Sequence, residues 1–162
     1  MKKAALTLIL LAINFSAFSQ EFKKNEVFIE LLGNGLLGSI NYERQLGEKP
    51  GLGIRVGAGL YGTDTHMTIP VGVNYLIRVV KNHSFLDLGF GATYTKSDGF
   101  FYAVTKLPAG YVRRKEFIYL IPSAGLRAYT TKNYIWKITA TPFITIGGDL
   151  LPSFGLGFGR RL

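Results

Sequence analysis

The sequence predicts an all-β fold: an eight-stranded antiparallel up-and-down transmembrane β-barrel, following a cleaved N-terminal signal peptide. Three observations predict it. Beyond residue 25 the chain alternates apolar with small or polar residues at period two, as strands do when their two faces meet different surroundings. The composition is 48% hydrophobic and 14% aromatic with 20 glycines, and only 18% of residues are charged, where soluble domains carry nearer a quarter. After the N-terminal segment no apolar run approaches the ~20 residues of a spanning helix, so any crossing falls to strands.

The N-terminus reads as an export signal. Lys2 and Lys3 precede the apolar run Ala4–Ile13, and Ala17 and Ser19 are small residues three and one before a cut after Ser19. The expected division is therefore 1–19 signal peptide and 20–162 barrel domain. There is no cysteine, which excludes a disulfide framework and a lipid-modified cysteine after the signal. The formal net charge of +9 is carried by dispersed Lys and Arg rather than a cluster. Nucleic acid is not an expected partner, and basic ends beside anionic lipid headgroups fit better.

Eight strands follow in order. The first, Glu26–Gly33, sets Val27, Ile29 and Leu31 against Phe28, Glu30 and Leu32. Asn34-Gly35 is a hairpin signal of the two-residue type. The second, Leu36–Leu46, sets Leu36, Ile40, Tyr42 and Leu46 against Ser39, Asn41, Glu43 and Gln45. After the turn Gly47–Pro50, the third strand has Leu52, Ile54, Val56, Ala58 and Leu60 on one face and Gly53, Arg55, Gly57 and Gly59 on the other. The fourth, His66–Val79, alternates Met67 through Ile77 with Thr68, Gly72, Asn74 and Arg78. The fifth, His83–Lys96, alternates Leu86 through Tyr94 with Phe85, Asp87, Gly89 and Thr93. Ser97–Lys115 is the long connection, a length that usually serves function. The sixth strand is Glu116–Tyr129, the seventh Tyr134–Ile146 and the eighth Ser153–Leu162. Pro122 and Pro142 fall inside strands, where proline removes a ladder donor and marks an edge or bulge.

Eight strands suffice to close a barrel whose side chains fill its interior. The polar faces carry few charges: Glu30, Glu43, Arg55, Arg78, Asp87, Arg127, Lys137 and Arg161. A water-facing exterior would carry many more. These eight residues are therefore expected inside, as a polar network filling a narrow lumen, with the apolar faces against lipid. Counted from a periplasmic N-terminus, the short connections fall on the periplasmic side and Ser97–Lys115 outside, the usual asymmetry. Tyr42, Tyr75, Tyr94, Trp136 and Phe154 sit near strand ends, where interfacial aromatics collect.

With these residues assembled, the chain resembles the small outer-membrane β-barrel proteins of the OmpA/OmpX-like eight-stranded class. The resemblance is carried by SINYERQL at Ser39–Leu46, GLGIRVGAGLYG after it, and TIPVGVNYLI at Thr68–Ile77. It implies location in the cell outer membrane as a monomer and contact with outer-membrane lipids, lipopolysaccharide included. It also implies recognition by the barrel-assembly machinery through the C-terminal strand. That strand keeps its alternation at Phe154, Leu156 and Phe158, departs from it at Arg160, and ends on Leu162 where the family usually has an aromatic residue.

Chemistry is sparse. The only histidines, His66 and His83, fall at strand ends, and neither comes with a nucleophile and acid at a defined spacing. No His or carboxylate cluster has metal-ligand spacing, and the glycines alternate along strands instead of cradling a phosphate. No cofactor and no catalytic residue is expected. Arg113, Arg114 and Lys115 form a basic cluster in the long outer loop, able to meet lipopolysaccharide phosphates or simply stay hydrated. The expected function is a non-enzymatic integral outer-membrane β-barrel, porin-like in architecture, with a structural or loop-mediated role. The alternatives are a lipid-modifying outer-membrane enzyme and a soluble exported barrel binding a small apolar ligand.

Overall fold

The structure is a computed structural model that describes residues 23–61, 66–80, 83–96, 117–145 and 150–162. Ten strands form one sheet: β1 (Asn25–Leu31), β2 (Gly38–Gln45), β3 (Leu52–Tyr61), β4 (His66–Val80), β5 (Ser84–Thr95), β6 (Phe117–Tyr129), β7 (Tyr134–Ala140), β8 (Phe143–Thr145), β9 (Leu150–Leu151) and β10 (Phe154–Arg161). All pairings are antiparallel, β1 to β7 pair each with the next, β1 pairs with β10, and pairing of β5 with β6 closes the sheet into a barrel. β7 and β8 are two pieces of one barrel strand, and β9 and β10 two pieces of the next, so the barrel has eight staves. Residues 1–19, expected to be a signal peptide, lie outside the described residues, as do Arg113, Arg114 and Lys115.

The seventh strand, expected to run unbroken from Tyr134 to Ile146, is interrupted at Thr141–Pro142. The register nevertheless does not slip. Ala124 faces Ala140 on one side of the break and Leu120 faces Ile144 on the other, which sets Pro122 opposite Pro142. The Thr141 N–H donates to the Ser153 carbonyl at 2.8 Å, so by alternation the nitrogen of Pro142 faces β6. The Tyr129 N–H donates to the His83 carbonyl, so the nitrogen of Pro122 faces Pro142 in turn. The two missing donors thus coincide in one cross-strand pair, and neither proline strands an N–H.

The register also fixes the barrel's shape. Tracing partners once around from Arg160 gives Val27, Tyr42, Val56, Val71, Ala92, Leu120, Ile144 and Leu150. The path returns to its own barrel strand at Leu150, ten residues from Arg160 (160 − 150). A stagger of about ten residues at ~3.3 Å over eight strands ~4.8 Å apart tilts the strands by about 40°, within the range of closed barrels.

The two faces are inverted relative to a water-soluble domain. Ile40, Ile54, Val71, Tyr75, Trp136, Ile138 and Leu156 point outward and are exposed, whereas Glu43, Arg127 and Asn41 are fully buried inside. On the outer face Phe158 lies between Tyr134 (centroids 5.8 Å apart, stacked) and Trp136 (4.6 Å, tilted). Glycines at inward positions keep the lumen from overfilling. A Cβ on Gly53 would come within 2.4 Å of the Gln45 amide, and one on Gly125 within 2.0 Å of the Ile138 carbonyl.

Candidate functional site

The interior divides into layers along the barrel. At the end where β1 begins and β10 finishes, Leu76, Phe85, Tyr129 and Ile135 form an apolar cap, with the Phe85 and Tyr129 rings 5.2 Å apart. Above the cap lies a charged layer centred on Arg127. Its Nη1 meets Glu26 at 2.7 Å and Glu43 at 2.6 Å, its Nη2 meets Glu43 at 2.9 Å and Asp87 at 2.6 Å, and its Nε donates to Asp87 at 3.1 Å. Five charge-assisted contacts to three carboxylates use the planar fork of a guanidinium fully. Lys137 adds a second cation to Asp87 at 3.0 Å and lies over the Phe28 ring. Asn74 and Gln45 donate to Glu43, and the Tyr129 hydroxyl donates to Glu26 at 2.5 Å. Charges this deeply buried persist only when so paired.

Farther along, Arg55 pairs with Glu30 at 3.5 Å. Asn34, Asn41 and Thr139 each keep a buried polar atom without a protein partner, a lining suited to bound water. The far end is filled by the β1–β2 connection itself. Gly33, Asn34, Gly35 and Leu36 turn into the lumen and are buried, and Leu36 packs with Tyr119, Ile121 and Phe143 as a second apolar cap. The Asn34 N–H donates to Glu30 Oε2 at 3.0 Å, the Thr68 hydroxyl donates to the Gly35 carbonyl at 3.0 Å, and the Thr93 hydroxyl donates to the Asn34 carbonyl. Inward glycines make room: a Cβ on Gly155 would lie 2.9 Å from Gly33 Cα, and one on Gly91 would lie 2.7 Å from the Asn34 amide.

These positions correct several expectations. Asn34 and Gly35 do occupy the centre of a turn, closed by Leu36 N–H to the Gly33 carbonyl. The strands stop earlier than a two-residue hairpin requires, at Leu31 and Gly38. The intervening six residues include Leu32 and Leu36 at φ 57° and 75°, and this left-handed backbone folds the loop inward. Leu36, expected on the outward face of the second strand, is a lumen residue, and Leu32, expected inward with Phe28 and Glu30, is exposed because the left-handed turn begins there and ends the alternation. Of the eight charges expected inside, Glu30, Glu43, Arg55, Asp87, Arg127 and Lys137 are buried there. Arg78 is not. It lies at the end of β4 beside the bulge in the β4–β5 pairing, and is exposed. Arg161 lies half-buried at the rim, its guanidinium 4.2 Å from the Tyr129 ring and 3.4 Å from the Asn133 side chain. Glu26, which sequence reasoning left out, belongs to the charged layer. Its parity with Phe28 and Glu30 on one strand was the available signal. Three acids against five bases thus becomes four buried acids (Glu26, Glu30, Glu43, Asp87) with three buried bases (Arg55, Arg127, Lys137), and the expected positive excess disappears.

His66 opens β4 and His83 follows its far end, so the two stand at opposite ends of the barrel and cannot serve one site. Among the described residues no group of three or more His, Cys, Asp or Glu could hold a metal ion.

The chain is a closed barrel of eight antiparallel staves, staggered by ten residues, with buried charges inside and an apolar outer wall. The chain has the fold of the OmpA/OmpX-like eight-stranded barrels. The crystal structure of the N-terminal β-barrel domain of Pseudomonas aeruginosa OprF matches it with a TM-score of 0.53 at 13% identity, covering 84% of this chain and 95% of that one. No family model and no curated protein matches the sequence. At such low identity the likeness speaks for the fold, which register and pattern carry independently.

Proposed function

We propose that this chain is an integral outer-membrane β-barrel without catalytic activity, whose role is structural or exercised through its loops. The observation that carries this reading is the inversion of its faces. A belt of aliphatic and aromatic side chains surrounds the barrel, while among the described residues four acids and three bases are buried inside it. A soluble monomer rarely exposes an apolar patch beyond a few hundred Å². In lipid the same belt is satisfied, and closure leaves no sheet edge with unpaired backbone groups. The soluble-carrier alternative needs the opposite arrangement, an apolar lining and a polar exterior. The lipid-modifying alternative needs a nucleophile, base and acid within reach of each other, and the separation of the two histidines argues against it. Contact of the outer loops with lipopolysaccharide through Arg113, Arg114 and Lys115, export by the N-terminal signal, and assembly through the C-terminal strand belong to the same proposal.

The test is heat-modifiability in isolated outer membranes. The expected result is a shift in gel mobility on boiling together with resistance to carbonate extraction. Recovery of the protein in the soluble periplasm with no shift would overturn the reading.

A further inference from the structure

The charges of this protein are segregated. Inside, among the described residues, acids slightly outnumber bases. Outside, among the described residues, Glu48 is the one exposed acid, against the exposed cations Lys23, Arg44, Lys49, Arg78, Lys132 and Arg160 at the end where β1 begins and β10 finishes. None of these six forms an ion pair among the described residues, although every buried acid has a cation within reach. Two of them stand together on the outer wall. Arg44 on β2 is the partner of Asn25, and Arg160 on β10 is the partner of Val27, so they flank β1 two residues out of step. Two strand spacings and a two-residue offset along β1 separate their backbones by about 12 Å. Guanidinium stems can close that distance onto a single group lying over β1.

The surroundings suit an amphiphile. The Tyr42 hydroxyl, one outward position along from Arg44, donates to the Asn25 side chain at 2.9 Å. Tyr134 is the cross-strand partner of Arg160 and stacks on Phe158. Immediately beyond this polar and aromatic rim the outward row of β1 continues as Val27, Ile29 and Leu31, all exposed.

We infer that Arg44 and Arg160 form a headgroup site for an anionic glycerophospholipid, its phosphate held over β1 between the two guanidiniums and its acyl chains laid along Val27 and Ile29. The chemistry is charge-assisted, fork-shaped hydrogen bonding to phosphate oxygens, with aromatic rings at the headgroup level. This inference rests on the membrane reading above and adds to it which lipid, where, and through which residues.

The experiment reconstitutes the refolded protein in phosphatidylcholine vesicles containing a trace of spin-labelled phosphatidylglycerol or spin-labelled phosphatidylcholine. The immobilised fraction at the protein surface is read by electron spin resonance. The parent is expected to prefer phosphatidylglycerol, and Arg44→Gln and Arg160→Gln each to lower that preference about fivefold. Both side chains are exposed, so the variants are expected to keep the heat-modifiable fold, which is checked on the same samples. An unchanged preference in the double variant, with full insertion, would overturn the headgroup site and leave the membrane reading standing. Loss of the preference in millimolar inorganic phosphate, but not in chloride of equal ionic strength, would assign the site to free phosphate and likewise overturn it. Absence of any immobilised lipid signal, with the protein extracted by carbonate, would sink the membrane reading itself.

Discussion

At the scale of single residues, Arg127 organises the interior. It holds Glu26, Glu43 and Asp87 at once, and removing it leaves three carboxylates around one remaining cation, Lys137. Arg127→Met is therefore expected to destabilise the folded barrel by about 3–5 kcal/mol, read from denaturant unfolding in micelles. Arg127→Lys should recover little, because a point cation cannot reproduce five directed contacts. Adding Glu43→Gln to Arg127→Met should cost less than the two changes summed, since the second removes a charge the first left unpaired. The inward glycines are the converse case, positions set by what must fit beside them. Gly155→Val is expected to press on Gly33 and push the inward loop out. A thiol placed by Leu36→Cys, in a chain with no other cysteine, should resist maleimide in the parent barrel and react once Gly155 is replaced.

At the scale of elements, the β1–β2 connection acts as part of the core rather than as a surface turn. Its backbone groups are satisfied by Glu30, Thr68 and Thr93, from three strands, and its Leu36 side chain completes the far cap. Leu36→Ala is expected to cost about 2–5 kcal/mol, as for other fully buried leucines. Replacing residues 33–36 by a two-residue Asn-Gly turn should leave the barrel heat-modifiable, because the Leu32 N–H already donates to the Leu37 carbonyl, the kind of pair such a turn closes on. The same change should make it less stable than Leu36→Ala, because the lumen then loses its hydrogen bonds as well. Pro122 and Pro142 illustrate how an element survives a residue that should break it. Each lacks the donor that would have faced the other, so a single pair of the ladder is sacrificed and the stagger continues unchanged.

At the scale of the whole molecule, the balance of faces decides the surroundings. A charge placed at mid-height on the outer wall discriminates between them. Val71→Arg is expected to destabilise the protein in lipid vesicles by about 2–4 kcal/mol, and Leu162→Arg at the rim by about 0–1 kcal/mol. In water both would be harmless surface changes. Two apolar caps, a charged layer and an inward loop occupy the lumen between them. Planar bilayers containing the parent protein are accordingly expected to carry no steady ion current, as an eight-stranded barrel with a filled interior should not.

What the sequence determined by itself was everything carried by period two. Parity along each strand distinguished lumen from outer wall, so Glu43, Asp87, Arg127 and Lys137 were readable as inward, and the count of alternating segments was readable as eight staves. Parity is a local property, and the backbone enforces it wherever a strand persists. It does not say how far along the barrel a residue lies. That is why Arg78, with the correct parity but beyond the lumen's end, was assigned inward, and why the role of Glu26 beside Arg127, one hundred and one positions away, went unseen. Nor could local pattern show that Asn34-Gly35 would turn inward. That outcome depends on space vacated by Gly91 and Gly155 on remote strands and on hydroxyls from Thr68 and Thr93. Those groups meet the loop only once the sheet has closed, and closure is a long-range event that the tertiary structure alone decides.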